Sequence, residues 1–218
     1  MNTQTMRISK EDLLLYAITS RNWLNGETLE SQVKEAIEGG ITILQLREKD
    51  MKYDQFLEEA RKIKAVCKDR IPFIINDNIE IAKEVDADGI HIGQSDINIK
   101  EARKILGEDK IIGVSAHTIE QAIEAEENNA DYLGVGSVFP TDTKDDAENI
   151  NIDILKDIVQ KVNIPIVAIG GINRENIYEL KGVEIAGIAS ISAIFSNEDI
   201  KVKTEELKEI LDKEIIND

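Results

Sequence analysis

Leu13-Leu-Leu-Tyr-Ala-Ile18 is followed directly by Thr19-Ser-Arg-Asn-Trp-Leu-Asn-Gly26. The first stretch is a short apolar run of the kind that forms a buried strand. The second decides between two ways of extending it. An open, doubly wound sheet that binds a dinucleotide wants a Gly-x-Gly-x-x-Gly turn after its first strand, so that the backbone can approach a pyrophosphate. Residues 19–26 hold nothing of the kind. A closed barrel makes no such demand.

Working outward, the same alternation repeats to the end of the chain. Leu29, Val33, Ala36 and Ile37 recur at helical spacing, and Gly39-Gly40 ends that helix. Ile41-Thr-Ile-Leu-Gln-Leu-Arg47 is strand-like, and Phe56, Leu57, Ala60 and Ile63 mark the next helix. Further strands are expected at 73–76, 89–92, 111–115, 132–135, 166–169 and 185–189. Helices are expected at 79–85, 99–106, 119–127, 152–159, 175–180 and 204–215. Ala87-Asp-Gly89, Ala130-Asp131 and Ile185-Ala-Gly187 recur at strand starts and hint at a repeated unit. Strict strand–helix alternation requires a parallel sheet, and eight units allow it to close. No linker or change in composition interrupts the pattern. The expectation is therefore an α/β protein with a polar lead-in over residues 1–12 and one (β/α)8 TIM barrel over 13–218.

Composition narrows the function. Of the 218 residues, 42% are apolar but only 4% aromatic, so the core is aliphatic, as buried parallel strands require. The net charge of -17 argues against nucleic acid or an acidic membrane as partner. The single cysteine, Cys67, excludes an internal disulfide and reads as a packing residue. No stretch has signal-peptide form or approaches the ~20 apolar residues that span a bilayer. A soluble cytoplasmic protein is expected.

In such barrels the chemistry gathers where strands end and the following loops begin. Strand two ends Gln45-Leu-Arg47-Glu-Lys49, and alternation puts Ile41, Ile43, Gln45, Arg47 and Lys49 on one face. Strand three ends Asn76-Asp77, and Asp96 follows strand four. Taken together these two aspartates suit a shared hard cation such as Mg2+, while each taken alone reads first as a helix N-cap. Strand five ends Ser115-Ala-His117-Thr118, where Ser115 is a ligand hydroxyl candidate and Thr118 with Gln121 resembles a capping box. His117 reads as structural rather than as a base, and His91 as a packed or hydrogen-bonding residue inside its strand.

Loop six, Gly134-Val-Gly-Ser-Val-Phe-Pro-Thr-Asp-Thr-Lys144-Asp-Asp-Ala147, sets Thr141, Thr143 and Lys144 where they suit an anionic ligand. Gly170-Gly171 after strand seven and Ile191-Ser192 after strand eight fall at the positions that often bind phosphate in this barrel. From residues alone, the picture is a barrel enzyme with one phosphate site at loops seven and eight and a second anionic group near Arg47, Lys49, Lys144 and a divalent metal.

Gln45–Lys49, Ile75–Asp77, Asp88–Asp96, Gly113–Thr118, Gly134–Lys144, Ala168–Asn173 and Ser190–Ile194, in that order, resemble thiamine phosphate synthase over almost the whole chain. Ser20, where the family tends to have Asp, and Asn78 depart from its pattern. The resemblance implies a transferase that couples 4-amino-2-methyl-5-(diphosphooxymethyl)pyrimidine to a hydroxyethylthiazole phosphate, yielding thiamine phosphate and pyrophosphate. It implies that Gln45, Arg47, Lys49, Asn76 and Lys144 hold the pyrimidine pyrophosphate, with Ser115 as a further contact. Arg47, Lys49, Lys144 and Ser115 would be the catalytic set. It assigns Asp77 and Asp96 to Mg2+, and Thr141, Thr143, Gly171, Ile191 and Ser192 to the thiazole phosphate. A homodimer is expected on the same ground. The related thiazole tautomerase, which lacks part of the Arg47, Asp77, Asp96 and Thr143 set, and a non-catalytic phosphate-binding regulator are the rival readings.

Overall fold

A computed structural model describes residues 7–141 and 150–216. Eight parallel strands pair in chain order and close on themselves. They are β1 Leu15–Ile18, β2 Ile43–Leu46, β3 Phe73–Asn76, β4 Gly89–Ile92, β5 Ile111–Ala116, β6 Tyr132–Val135, β7 Ile166–Ile169 and β8 Gly187–Ser190. The helices around them are α1 Leu29–Glu38, α2 Tyr53–Cys67, α3 Ile79–Glu84, α4 Ile99–Leu106, α5 Ile119–Glu127, α6 Ile152–Val159, α7 Ser192–Phe195 and α8 Ile200–Ile210. The chain is a (β/α)8 barrel. Among the described residues, no helix is long and apolar enough to cross a membrane.

Two cores follow from the period-two alternation of the strands. Leu15, Ala17, Leu44, Leu46, Ile75 and Leu133 face outward and pack against helix residues such as Val33, Phe56 and Ile63. Tyr16, Ile18, Ile43, Ile74, Ile111, Tyr132 and Val167 face inward and fill the barrel. Register brings Tyr16 beside Ile43 and Ala189, and Ile18 beside Gln45. Gly113 sits on an inward position next to Tyr132, and a Cβ there would lie 2.1 Å from the tyrosine ring. The missing side chain is what admits that ring.

Several local expectations change. Leu13 belongs to a 3-10 turn, Glu11–Leu13, so β1 begins at Leu15. Ile41 precedes β2 and joins the outer core, so the inward face of that strand starts at Ile43. The seventh unit carries only a 3-10 turn, Ile177–Leu180, in place of a helix over 175–180. Among its described residues, the polar lead-in buries Ile8, which joins Leu13 in the barrel interior. Arg7 beside it donates to Asp131 at 2.8 Å.

The repeated Asp at strand starts has a physical cause. Asp88 accepts the N–H of Phe73 at 2.7 Å, and Asp131 accepts that of Ile112 at 2.7 Å. Thr42 does the same for Leu15 through Oγ1 at 2.9 Å. In each case the side chain at the foot of an even strand satisfies an N–H at the foot of the preceding odd strand. A buried N–H left unmatched there would cost stability. Asp131 carries more, because it also accepts from the buried Arg103 at 2.7 Å and from Arg7.

This difference is measurable. Asp88→Ala leaves one backbone N–H unmet, for a loss of ~1–3 kcal/mol. Asp131→Ala also strands the buried Arg103 guanidinium, for a loss of ~3–5 kcal/mol. Urea denaturation followed by circular dichroism should rank the two in that order; equal losses would remove the special role of Asp131.

Candidate active site

The strands open at their C-terminal ends into a cavity of about 450 Å³. Gln45, Arg47, Lys49, Asn76, Asp77, Asp96, Ser115, Thr141, Gly171, Ile191 and Ser192 all line it. These are all the expected site residues that the structure describes. Thr143 and Lys144 lie outside the described residues.

One wall comes from β2 and β3. After inward-facing Ile43, alternation sends Gln45 into the cavity floor, where it is 3% exposed, and Arg47 and Lys49 up toward the mouth. The Arg47 backbone N–H donates to Thr19 Oγ1 at 3.0 Å, which ties this strand end to the end of β1. Lys49 Nζ donates to Asp77 Oδ2 at 2.7 Å. Asp77 sits at φ 58, in the left-handed region that non-glycine residues seldom occupy.

Neither aspartate is a helix cap. Asn78 Oδ1 caps α3 through the Ile81 N–H, and Asn98 Oδ1 caps α4 through that of Glu101. Asp96 instead turns back to accept the Gly93 N–H at 2.7 Å. Burial pushes the Asp77 carboxyl up from its ordinary value; the Lys49 hydrogen bond opposes this and the Asp96 carboxyl adds to it. Two neighbouring carboxylates at the mouth of one cavity fit a divalent cation. Among the described residues there is no cluster of three or more His, Cys, Asp or Glu side chains suited to a metal. A two-carboxylate site suits Mg2+, which keeps several waters and takes phosphate oxygens as further ligands.

The opposite wall comes from β6, β7 and β8. Gly170 and Gly171 have φ of 103 and 60, and a Cβ on Gly171 would lie 2.4 Å from the Pro140 carbonyl. Loop six therefore lies directly on loop seven, held by the Val138 N–H on Ile169 at 2.9 Å and the Phe139 N–H on Gly170 at 3.1 Å. That contact brings Thr141 to the cavity. The short helix α7 begins at Ser192, and its N-cap Ile191 offers no capping side chain. Free N–H groups at such a start favour an anion.

Sequence reading missed the floor. Tyr16 and Tyr132 line the cavity from inward positions, and their hydroxyls lie 2.8 Å apart. Both were legible as aromatics on inward strand faces, but only closure brings β1 and β6 across from each other. His91 is hydrogen-bonded as expected, to Tyr132 and Ser115, each at 3.0 Å. His117 lines the cavity while its Nδ1 donates to the Gly136 carbonyl, so it is held from its ring. Half of the expected capping box forms: Thr118 Oγ1 accepts the Gln121 N–H at 3.2 Å, but Gln121 Oε1 takes the N–H of His117, one residue before the cap, at 2.7 Å instead of that of Thr118.

Residues 15–194 match a family model described as thiamine monophosphate synthase. The chain is 53% identical over 197 residues to a thiamine-phosphate synthase of Clostridium tetani, covering 90% of this chain and 94% of that one. It is 47% identical over 206 residues to a thiamine-phosphate synthase of Clostridium botulinum, covering 94% and 97% of the two chains. A solved structure of a thiamine phosphate pyrophosphorylase from Pyrococcus furiosus superposes with a TM-score of 0.86 at 40% identity, over 94% of this chain and 98% of that one.

The Asp77–Asp96 pair makes a prediction about stability. A carboxyl whose folded-state pKa lies above its unfolded value costs stability at neutral pH, and the cost fades as pH falls through the raised value toward the ordinary 3.8. In chelator at neutral pH, Asp77→Asn should melt above the parent, and the gap should close below about pH 4. Calorimetric melting at both pH values checks this. A lower melting temperature for the variant at neutral pH would mean that the Lys49 pairing outweighs burial.

Proposed function

The chain belongs to the thiamine monophosphate synthase family and is a transferase of thiamine biosynthesis, and from that premise we propose its reaction. It couples 4-amino-2-methyl-5-(diphosphooxymethyl)pyrimidine to a hydroxyethylthiazole phosphate, releasing pyrophosphate. The observation that carries this reading is the division of the cavity. One wall offers Gln45, Arg47, Lys49, Asn76 and two acids; the other offers a glycine pair and the Ile191–Ser192 helix start.

The two walls suit two anionic groups held at once. The pyrophosphate would lie against Arg47 and Lys49, with Lys144 of loop six as a further cation and Ser115 as a hydroxyl contact. The thiazole phosphate would lie against Gly171, Ile191 and Ser192, with Thr141 and Thr143 supplied by loop six. Asp77 and Asp96 would hold Mg2+, which when bound neutralises charge on the pyrophosphate oxygens.

Catalysis then needs no protein nucleophile. Loss of pyrophosphate from the pyrimidine methylene leaves a cation that the electron-rich aminopyrimidine ring stabilises. The task of the protein is to stabilise the leaving anion and to hold the thiazole nitrogen in line with the methylene carbon. Arg47 and Lys49 serve the first requirement and the grip of loops seven and eight the second. The reaction is proposed to run in the cytoplasm with small molecules as its only ligands, and with a homodimer as the working unit.

Turnover with both substrates and Mg2+, followed by pyrophosphate release, tests the reading directly. Arg47→Ala and Lys144→Ala remove contacts to charge that grows in the transition state, worth roughly 2–4 kcal/mol each, or about thirty- to a thousandfold in kcat. The loss should fall on kcat more than on KM. Asp96→Asn, or chelator with the parent, should abolish turnover of a folded protein. No pyrophosphate release by the parent, or full rate in chelator, would overturn the proposal.

The division of pockets has its own test. Ser192→Asp puts a negative charge where α7 begins, against both the helix dipole and a phosphate. Calorimetry should show the thiazole phosphate binding more weakly while the pyrimidine substrate is spared; equal weakening of both would show that the pockets are wrongly divided.

A further inference from the structure

We propose that Gln45, Tyr16, Tyr132, His91 and Ser115 form one hydrogen-bond chain of fixed polarity across the cavity floor, in which a neutral His91 protonated on Nε2 makes Ser115 a donor. The chain links β2, β1, β6, β4 and β5 by four contacts. Gln45 Nε2 lies 2.9 Å from Tyr16 Oη, and Tyr16 Oη lies 2.8 Å from Tyr132 Oη. Tyr132 Oη lies 3.0 Å from His91 Nδ1, and His91 Nε2 lies 3.0 Å from Ser115 Oγ.

Its direction follows from proton counting. The Gln45 amide nitrogen only donates, so Tyr16 accepts there and its own proton goes to Tyr132. Tyr132 has then accepted, and its proton goes to His91 Nδ1. An Nδ1 that accepts leaves the ring proton on Nε2, where it is donated to Ser115 Oγ. Ser115 keeps its own proton for the cavity, while Gln45 keeps its carbonyl oxygen. Both phenols are fully buried, and burial pushes their pKa up, so each retains the proton that the scheme requires. The floor is shaped for these rings: a Cβ on Gly134 would lie 3.1 Å from His91 Cε1, and one on Gly113 would overlap Tyr132.

The consequence rests on the function proposed above. A donor at Ser115 and an acceptor at Gln45 match an anionic oxygen and an exocyclic amine on one substrate. The reverse polarity would set the Ser115 lone pairs against the anion and the Gln45 NH2 against the amine. His91, Tyr132 and Tyr16 are thus positioning residues for selectivity, acting through Ser115 and Gln45.

Nitrogen-15 NMR of the histidine-labelled protein, without substrates, tests the chain independently of turnover. The protein has two histidines, and His117 must carry its proton on Nδ1 to donate to the Gly136 carbonyl, which makes it an internal reference of the opposite tautomer. The His117→Gln variant assigns the signals. His91 should show the Nε2–H tautomer, and an Nδ1–H tautomer in the parent would overturn the proposed polarity. In Gln45→Glu the carboxylate only accepts, so Tyr16 and Tyr132 reverse and a proton should appear on His91 Nδ1. Adding Tyr16→Phe breaks the link, and His91 should then be the same with Gln or Glu at position 45. A response that survives Tyr16→Phe, or no response to Gln45→Glu, would overturn the coupling. Absence of pyrophosphate release with the expected tautomers would instead remove the proposed reaction and leave the chain standing.

Discussion

Closure of the parallel sheet is the constraint from which the rest follows. Once β8 pairs with β1, no strand has an edge, and every strand residue faces either the helices or the barrel interior. Inward side chains must then fill a narrow space that tightens or opens according to their size. Low in the barrel, Ile8, Leu13, Ile43, Ile74 and Ile111 fill it with aliphatic volume. Higher up the inward positions turn polar, and the cavity begins where Gln45, Asn76, His91 and Ser115 appear. The site is the upper end of the same alternation that builds the core.

Polar groups at that boundary are buried, so each has to be matched. The tyrosine–histidine chain is one answer. It spans five strands and satisfies hydroxyl, imidazole and amide groups without a charge. Glycines at 113 and 134 allow it, because a side chain at either position would press on the ring beside it. At the foot of the barrel the same demand is met by Thr42, Asp88 and Asp131, each on a neighbouring strand's N–H.

Charge is distributed to different effect at the two ends. The protein carries a net -17, yet Arg47 and Lys49 stand together at the mouth beside Asp77 and Asp96. Those carboxylates offset the two cations, and Lys49 is held in an ion pair with Asp77 at 2.7 Å. The left-handed Asp77 and the raised carboxyl it carries are departures from local comfort, and such departures concentrate where ligands bind.

Much of this was legible in the order of residues alone. Period-two and helical patterns marked all eight strands, because buried parallel strands are short and apolar and their helices are not. Gln45, Arg47 and Lys49 were legible as site residues because they continue the inward face of Ile43 past the point where apolar residues stop. The aspartates were ambiguous: an Asp before a helix reads as cap or as ligand, and only the placement of Asn78 and Asn98 as caps removed the first reading. Ile8 was hidden in a polar stretch, since one apolar residue has no period. The reduction of the seventh helix to a single 3-10 turn also escaped, because local propensity yields to the packing available. The sequence by itself determined the order of elements and the residue types at each strand end, since both depend on local pattern. Only the tertiary structure decided that Tyr16 and Tyr132 meet, that Gln45 is joined to Ser115 through His91, and that loop six rests on the Gly170–Gly171 turn. Those contacts join residues far apart in the chain, and barrel closure alone sets their distance.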